Sequence, residues 1–184
     1  GRKAMLGTNP FAVGIPASPA PLILDMATGL VSMGKIHDHA NRGEPIPPGW
    51  ALDADGNPTT DAVAAKKGAI APFGGAKGYA LGIALEVLVT ALSGAAIGTA
   101  VKGTLDSDYF CNKGDLFIAI SPHESAAVRA MVDTYLEEIR ASTPAAPERP
   151  VLVPGDRARA KRAEAVTKGL CLDDGLWRDL TALR

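Results

Sequence analysis

From Gly78 to Leu92 the chain reads GYALGIALEVLVTAL, and Glu86 is the one charged residue in that stretch. A helix this apolar on all sides has no solvent face, so it must be buried on most faces or lie in a subunit contact. Gly78 and Gly82, one turn apart, let a second backbone approach closely. The longest apolar run, about Tyr79 to Leu92, is too short for a membrane span. Glu86 needs a polar partner wherever it is buried.

The residues that feed this helix are APFGGAKG (71–78). They match neither the GxxxxGK[ST] phosphate loop nor the GxGxxG dinucleotide fingerprint. The physics of those loops still applies, because glycines bring backbone N–H groups close to a ligand and a helix start favours negative charge. Lys77 adds a full positive charge suited to a phosphate or carboxylate. The alternative is a tight helix-entry loop with Lys77 in solvent.

The rest of the chain has to decide between these. At 184 residues, 47% hydrophobic and 21% charged, it reads as one globular domain over 1–184. A net charge of −1 with no long run of either sign excludes a sequence-independent electrostatic grip on nucleic acid. Cys111 and Cys171 form no CxxC spacing, so neither a disulfide framework nor a structural zinc site is expected. A reducing cytoplasm is the expected compartment, and no basic-then-apolar export signal opens the chain. The chain begins GRKAMLGTNPF without a methionine and reads as the later part of a longer protein.

Two short strands are expected at Phe11–Ile15 and Leu22–Met26, separated by the proline-rich turn Pro16–Pro21. LVSMGKI (30–36) is either a third extended piece or a helix start. Residues 41–61 read as a long ordered loop. GDLFIAI (114–120) is expected as a strand. A helix should follow it, with Ser121 as N-cap, Pro122 at the first turn and Glu124 closing a capping box. Val128, Met131, Val132, Tyr135, Leu136 and Ile139 then share one face. A flexible loop about 142–150 leads to a short strand VLV (151–153). Beyond it Asp156 is expected to cap a helix ending near Gly169, and Asp173 or Asp174 to cap a last one carrying Leu176, Trp177, Leu180 and Leu183.

Metal chemistry finds little support. DADGNPTTD resembles a calcium loop, but position 6 is Pro58 and position 12 is Ala64, so an Asp-Gly turn with an Asx/Thr cap is expected instead. His37 and His39 would point about 200° apart on a helix, and no third ligand lies nearby. His123 is expected at the surface, and no nucleophile motif is present.

Seven segments in order carry a resemblance: LGTNPFAVGIP (6–16), ILDMATG (23–29), GKI (34–36), GEPIPPGWALDADGNPTTD (43–61), PFGGAKGYALGIALEVL (72–88), GDLFIAISP (114–122) and VLVPGD (151–156). Together they resemble the type-2 malate/L-lactate dehydrogenase family of non-Rossmann, NAD(P)-dependent 2-oxo acid reductases. The resemblance implies an α/β (α+β-like) fold, a mixed and largely antiparallel sheet flanked by helices. It implies NAD or NADP as cofactor, a small 2-oxo or 2-hydroxy acid as substrate, a homodimer, and neither nucleic acid nor membrane as partner. Asp25, Met26, Ala27, Lys77, Gly78, Pro154, Gly155 and Asp156 match cofactor-contacting positions, with Asn112 a further carry-over. Thr8 and Asn9 would stand near nicotinamide and substrate. The family's histidine and further substrate residues lie before the GTNP motif, and this chain begins six residues before it. The catalytic group is therefore unknown here, and a non-catalytic nucleotide-binding or dimerisation fragment is the alternative. The family often has serine after MAT, where Gly29 stands here.

Overall fold

The computed structural model describes residues 3–104, 108–121, 125–172 and 174–183. Elements follow in the order β1 (Pro10–Ile15), β2 (Leu22–Ala27), α1 (Met33–Arg42), β3 (Ala51–Leu52), β4 (Pro58–Thr59), α2 (Ala62–Ala65), β5 (Ala69–Ile70), α3 (Ala76–Ser93), a 3-10 turn (Gly98–Ala100), α4 (Ala126–Ala141), α5 (Asp156–Lys168) and α6 (Asp174–Ala182). The class is mixed α/β, as expected, but the expected single sheet is two small ones among the described residues: β1–β2, and β4–β3–β5 with both pairings antiparallel. The chain divides into two compact units, Gly1–Ala12 with Asp25–Pro122, and Val13–Leu24 with His123–Arg184.

The first unit holds the larger core. LVSMGKI resolves as a helix start: the Ser32 side chain accepts from Lys35 N–H as N-cap, and Gly43 closes α1 at φ 67°. Ile36 of α1 packs with Ile46, Ala51, Val31 and the small faces Ala62 and Ala65 of α2, flanked by Trp50 and Ile70. The stretch 41–61 is more than a loop, since β3 and β4 form a hairpin within it. Asp53 shapes its turn by accepting from the N–H groups of Asp55 and Asn57 at 2.9 Å each. These bonds hold the Asp53 carboxyl below its ordinary pKa, the Asn57 backbone bond first among them. Asp61 caps α2 by accepting from Val63 and Ala64.

Helix α3 encloses the whole apolar run, and Gly78 and Gly82 are its buried residues. A Cβ on Gly78 would lie 1.8 Å from the Phe73 carbonyl oxygen, and one on Gly82 would lie 3.1 Å from the Thr28 hydroxyl. Glu86 finds its partner in the N–H of Gly98 at 2.7 Å. By length and composition alone this 18-residue helix is apolar enough to cross a membrane, which corrects the length argument above. The expected strand at 114–120 does not form. Its backbone has no neighbouring strand to pair with among the described residues, and a ladder needs one.

The second unit holds α4, α5 and α6 together with the Val13–Leu24 segment, which includes parts of β1 and β2. Ser125, not Ser121, caps α4, because its hydroxyl accepts from Val128 N–H at 3.1 Å. Pro122, His123, Glu124 and Asp173 lie outside the described residues. Of the expected apolar face of α4, Leu136 is buried while Val128, Met131 and Tyr135 are exposed. Residues 151–153 do not form the expected strand, and Ile23 N–H donates to the carbonyl of the following Pro154 at 3.3 Å. Gly155 occupies the N-cap of α5 at φ 98°, one residue earlier than expected, and Asp156 is the first helical residue.

Candidate functional site

The first unit draws three sequence-distant segments together. Thr8 offers its carbonyl to both the N–H and the hydroxyl of Thr28, at 2.9 and 3.1 Å. Asn9, held at the positive φ of 42°, donates from its side-chain amide to the Gly82 carbonyl at 3.0 Å. Phe73 N–H donates to Thr28 O at 3.0 Å, and Gly29 bridges to Pro72. The TNP turn, the end of β2 and the entry to α3 therefore meet around Thr28, which is buried.

Gly74 and Gly75 both adopt positive φ, 58° and 59°, and no atom lies within 4 Å of where their Cβ atoms would stand. A side chain at either position would be strained by backbone conformation alone. Gly75 is the N-cap of α3 and no side chain caps that terminus. The first-turn N–H groups of a helix have no intrahelical acceptor, so this end presents donors and the positive end of the helix dipole. Lys77 is exposed beside them. This donor set fits an anionic ligand.

Met26 and Ala27 line an open groove of about 500 Å³ together with Leu30, Lys35, Trp50 and Phe73. Lys35 is its cationic lining residue. Sequence reading met it only inside the GKI motif, without a role, because nothing local marks it. Asp25 is exposed on β2. Asn112 serves the chain itself: its side chain accepts from Lys102 N–H at 2.7 Å and donates to the Ala100 carbonyl at 3.1 Å. Neither described histidine lines the groove. His37 is exposed, and His39 stands edge-on to Trp50 at 5.6 Å with Nδ1 3.0 Å from the Pro45 carbonyl.

In the second unit the Pro154–Gly155–Asp156 turn is held by a carboxylate clasp. Asp156 accepts from Arg140 Nε and Nη2 at 3.0 and 3.1 Å, from Arg159 Nη2, and from Val153 N–H at 3.0 Å. Four donors fill the acceptor positions of a carboxylate. The Arg140 bond leads in lowering the Asp156 pKa to about 2, against the opposing effect of burial. Arg159 also donates to the Pro21 carbonyl at 2.8 Å, which ties the turn to the segment before β2. No arginine clasp was foreseen from sequence, since Arg140 and Arg159 look like ordinary helix-surface residues.

Fold and site geometry together define a mixed α/β protein with a donor-presenting helix start, and comparison with known proteins gives its family. The chain belongs to the malate/L-lactate dehydrogenase family, whose model matches residues 1–181. It is 45% identical over 96% of its length to the L-sulfolactate dehydrogenase of Methanothermobacter thermautotrophicus, covering 51% of that protein. It is 37% identical over its whole length to the Δ1-pyrroline-2-carboxylate/Δ1-piperideine-2-carboxylate reductase of Pseudomonas aeruginosa, covering 55%. Among solved structures, a dehydrogenase from Sinorhizobium meliloti superposes with a TM-score of 0.93 at 53% identity, over 100% of this chain and 54% of that one. The chain thus spans about half the length of the relatives it matches.

Proposed function

We propose that this chain forms the dinucleotide-holding part of an NAD- or NADP-dependent oxidoreductase that interconverts a small 2-oxo acid and its 2-hydroxy acid. The observation that carries the reading is the uncapped, glycine-built start of α3 beside Lys77, packed against the end of β2 in a chain of this family. Relatives named for L-sulfolactate and for pyrroline- and piperideine-carboxylate support a small acid substrate. The free, exposed Cys111 and Cys171 suit a reducing, cytoplasmic setting, and the proposed assembly is a homodimer.

In this reading the backbone donors of 75–78 and the Lys77 ammonium hold anionic oxygens of the dinucleotide, while Met26 and Ala27 give an apolar wall. When bound, the nicotinamide supplies or accepts the hydride. Asp156 works through its clasp, which fixes the turn so that Pro154 and Gly155 present their backbone to the cofactor. Thr8 and Asn9 set the wall nearest the reacting carbon, and Asn112 shapes the loop behind α3. Such chemistry depends on positioning and on fixed charges more than on covalent catalysis.

Hydrogen exchange with and without NADH tests this: amides at 74–78 and 155–156 should slow on binding. Uniform exchange at saturating nucleotide would overturn it. A second reading, nucleotide binding without turnover, is favoured because neither described histidine lines the groove. Oxidation of NADH with a panel of 2-oxo acids, followed at 340 nm, separates the two. Binding without turnover supports the second.

A further inference from the structure

Among the described residues no backbone hydrogen bond reaches 115–120, although DLFIAI has a strand's composition. Phe117 is 90% exposed, Ile118 73% and Ile120 81%. In a strand, Leu116, Ile118 and Ile120 fall on one face and Phe117 and Ala119 on the other. Apolar residues on both faces mark a strand that is covered on both sides within a sheet. A natural edge strand is protected by charge, proline or a bulge, and DLFIAI has only Asp115 at its start.

The same unit leaves α3 bare. Tyr79, Leu81, Val87, Leu88 and Leu92 are all exposed. The segment leaves beside the end of that helix, where a Cβ on Gly114 would stand 2.8 Å from Val89 and from Ala95. The chain exposes 13692 Å², whereas two separate compact bodies of these unit sizes would expose about 10,000 Å². The surplus, roughly 3,500 Å², is several times the ~800 Å² per partner of a standard interface.

A second copy pairing strand to strand supplies one edge and leaves the other open. A fuller cover is available in the relatives, where the Sinorhizobium dehydrogenase holds this same fold in 54% of its length. We propose that 115–120 and the exposed side of α3 form a docking surface for the part of the polypeptide that the relatives carry and this chain does not cover. That part lays strands beside 115–120 and an apolar layer over Phe117 and Ile118. The inference rests on family membership and surface chemistry, not on the cofactor reading.

The test is co-expression of this chain with the uncovered half of the Methanothermobacter L-sulfolactate dehydrogenase, tagged, followed by gel filtration and amide hydrogen exchange. A 1:1 complex is expected, with amides 115–120 slowed roughly 100-fold against the chain alone. Ile118→Asp should abolish the complex and leave α1 exchange in the chain alone unchanged, because Ile118 is already exposed there. Phe117→Ser should weaken it. Four results would overturn the proposal: separate elution of the two polypeptides; full protection of 115–120 in dilute chain alone; protection that rises only with concentration of this chain; or protection on phosphatidylcholine–phosphatidylserine vesicles but not with the half.

Discussion

Asp156→Asn should cost about 2 kcal/mol at pH 7. The carboxyl pKa falls from 3.8 to about 2 in the folded chain, and each unit is worth about 1.4 kcal/mol. The side chain is 15% exposed, so solvent screening removes little of this. Asparagine keeps the shape and an acceptor for the Val153 N–H but loses the charge that Arg140 and Arg159 grip. Because the folded pKa is depressed, the stabilisation is fully present above the unfolded value. It is lost as pH falls from about 4 towards 2, with about half gone near pH 3. Urea unfolding followed by circular dichroism at pH 7, 4, 3 and 2 measures it. The gap between native and variant should close along that series. A variant as stable as the native chain at pH 7, or a gap that persists unchanged at pH 2, would refute the clasp as the source.

Gly78→Ala should be the most damaging single methyl group on α3, costing upwards of about 2 kcal/mol, since the Phe73 backbone oxygen blocks it; thermal melts would register it as a large drop. Asp61→Ala removes the cap on α2 and should cost about 1 kcal/mol in the same assay. Arg42→Ala, by contrast, breaks only the exposed pair with Asp38 and should change stability by less than about 0.5 kcal/mol. Asn9→Ala loses the bond to the Gly82 carbonyl while keeping the positive φ, and should cost roughly 1–2 kcal/mol and raise the exchange of amides near Thr8.

What could be read from the sequence was local. The apolar run predicts α3, which is present; the close backbone contact is at Gly78, against the Phe73 carbonyl of its own entry loop, whereas Gly82 meets the side chains of Thr28 and Leu6. The turn chemistry of Asp53 and the cap at Asp61 follow from side-chain oxygens that reach their own backbone. What failed depends on partners distant in sequence. DLFIAI carries strand composition, but a strand exists only when another backbone pairs with it. The face of α4 has helical periodicity, yet period alone does not supply something to bury Met131 and Tyr135 against. The meeting of Thr8, Asn9, Thr28 and Gly82 was not legible, because no local signature brings these residues together. The clasp at Asp156 was missed since its arginines lie 16 residues before and three after, and either spacing is ordinary for surface helices.

The most direct measurement is a fluorescence titration of the chain with NADH and with NADPH, run beside Lys77→Ala. Saturable binding of one cofactor, weakened about tenfold by loss of the ammonium, is expected. Equal affinity in chain and variant, or no binding at millimolar cofactor, would contradict a dinucleotide site at the start of α3.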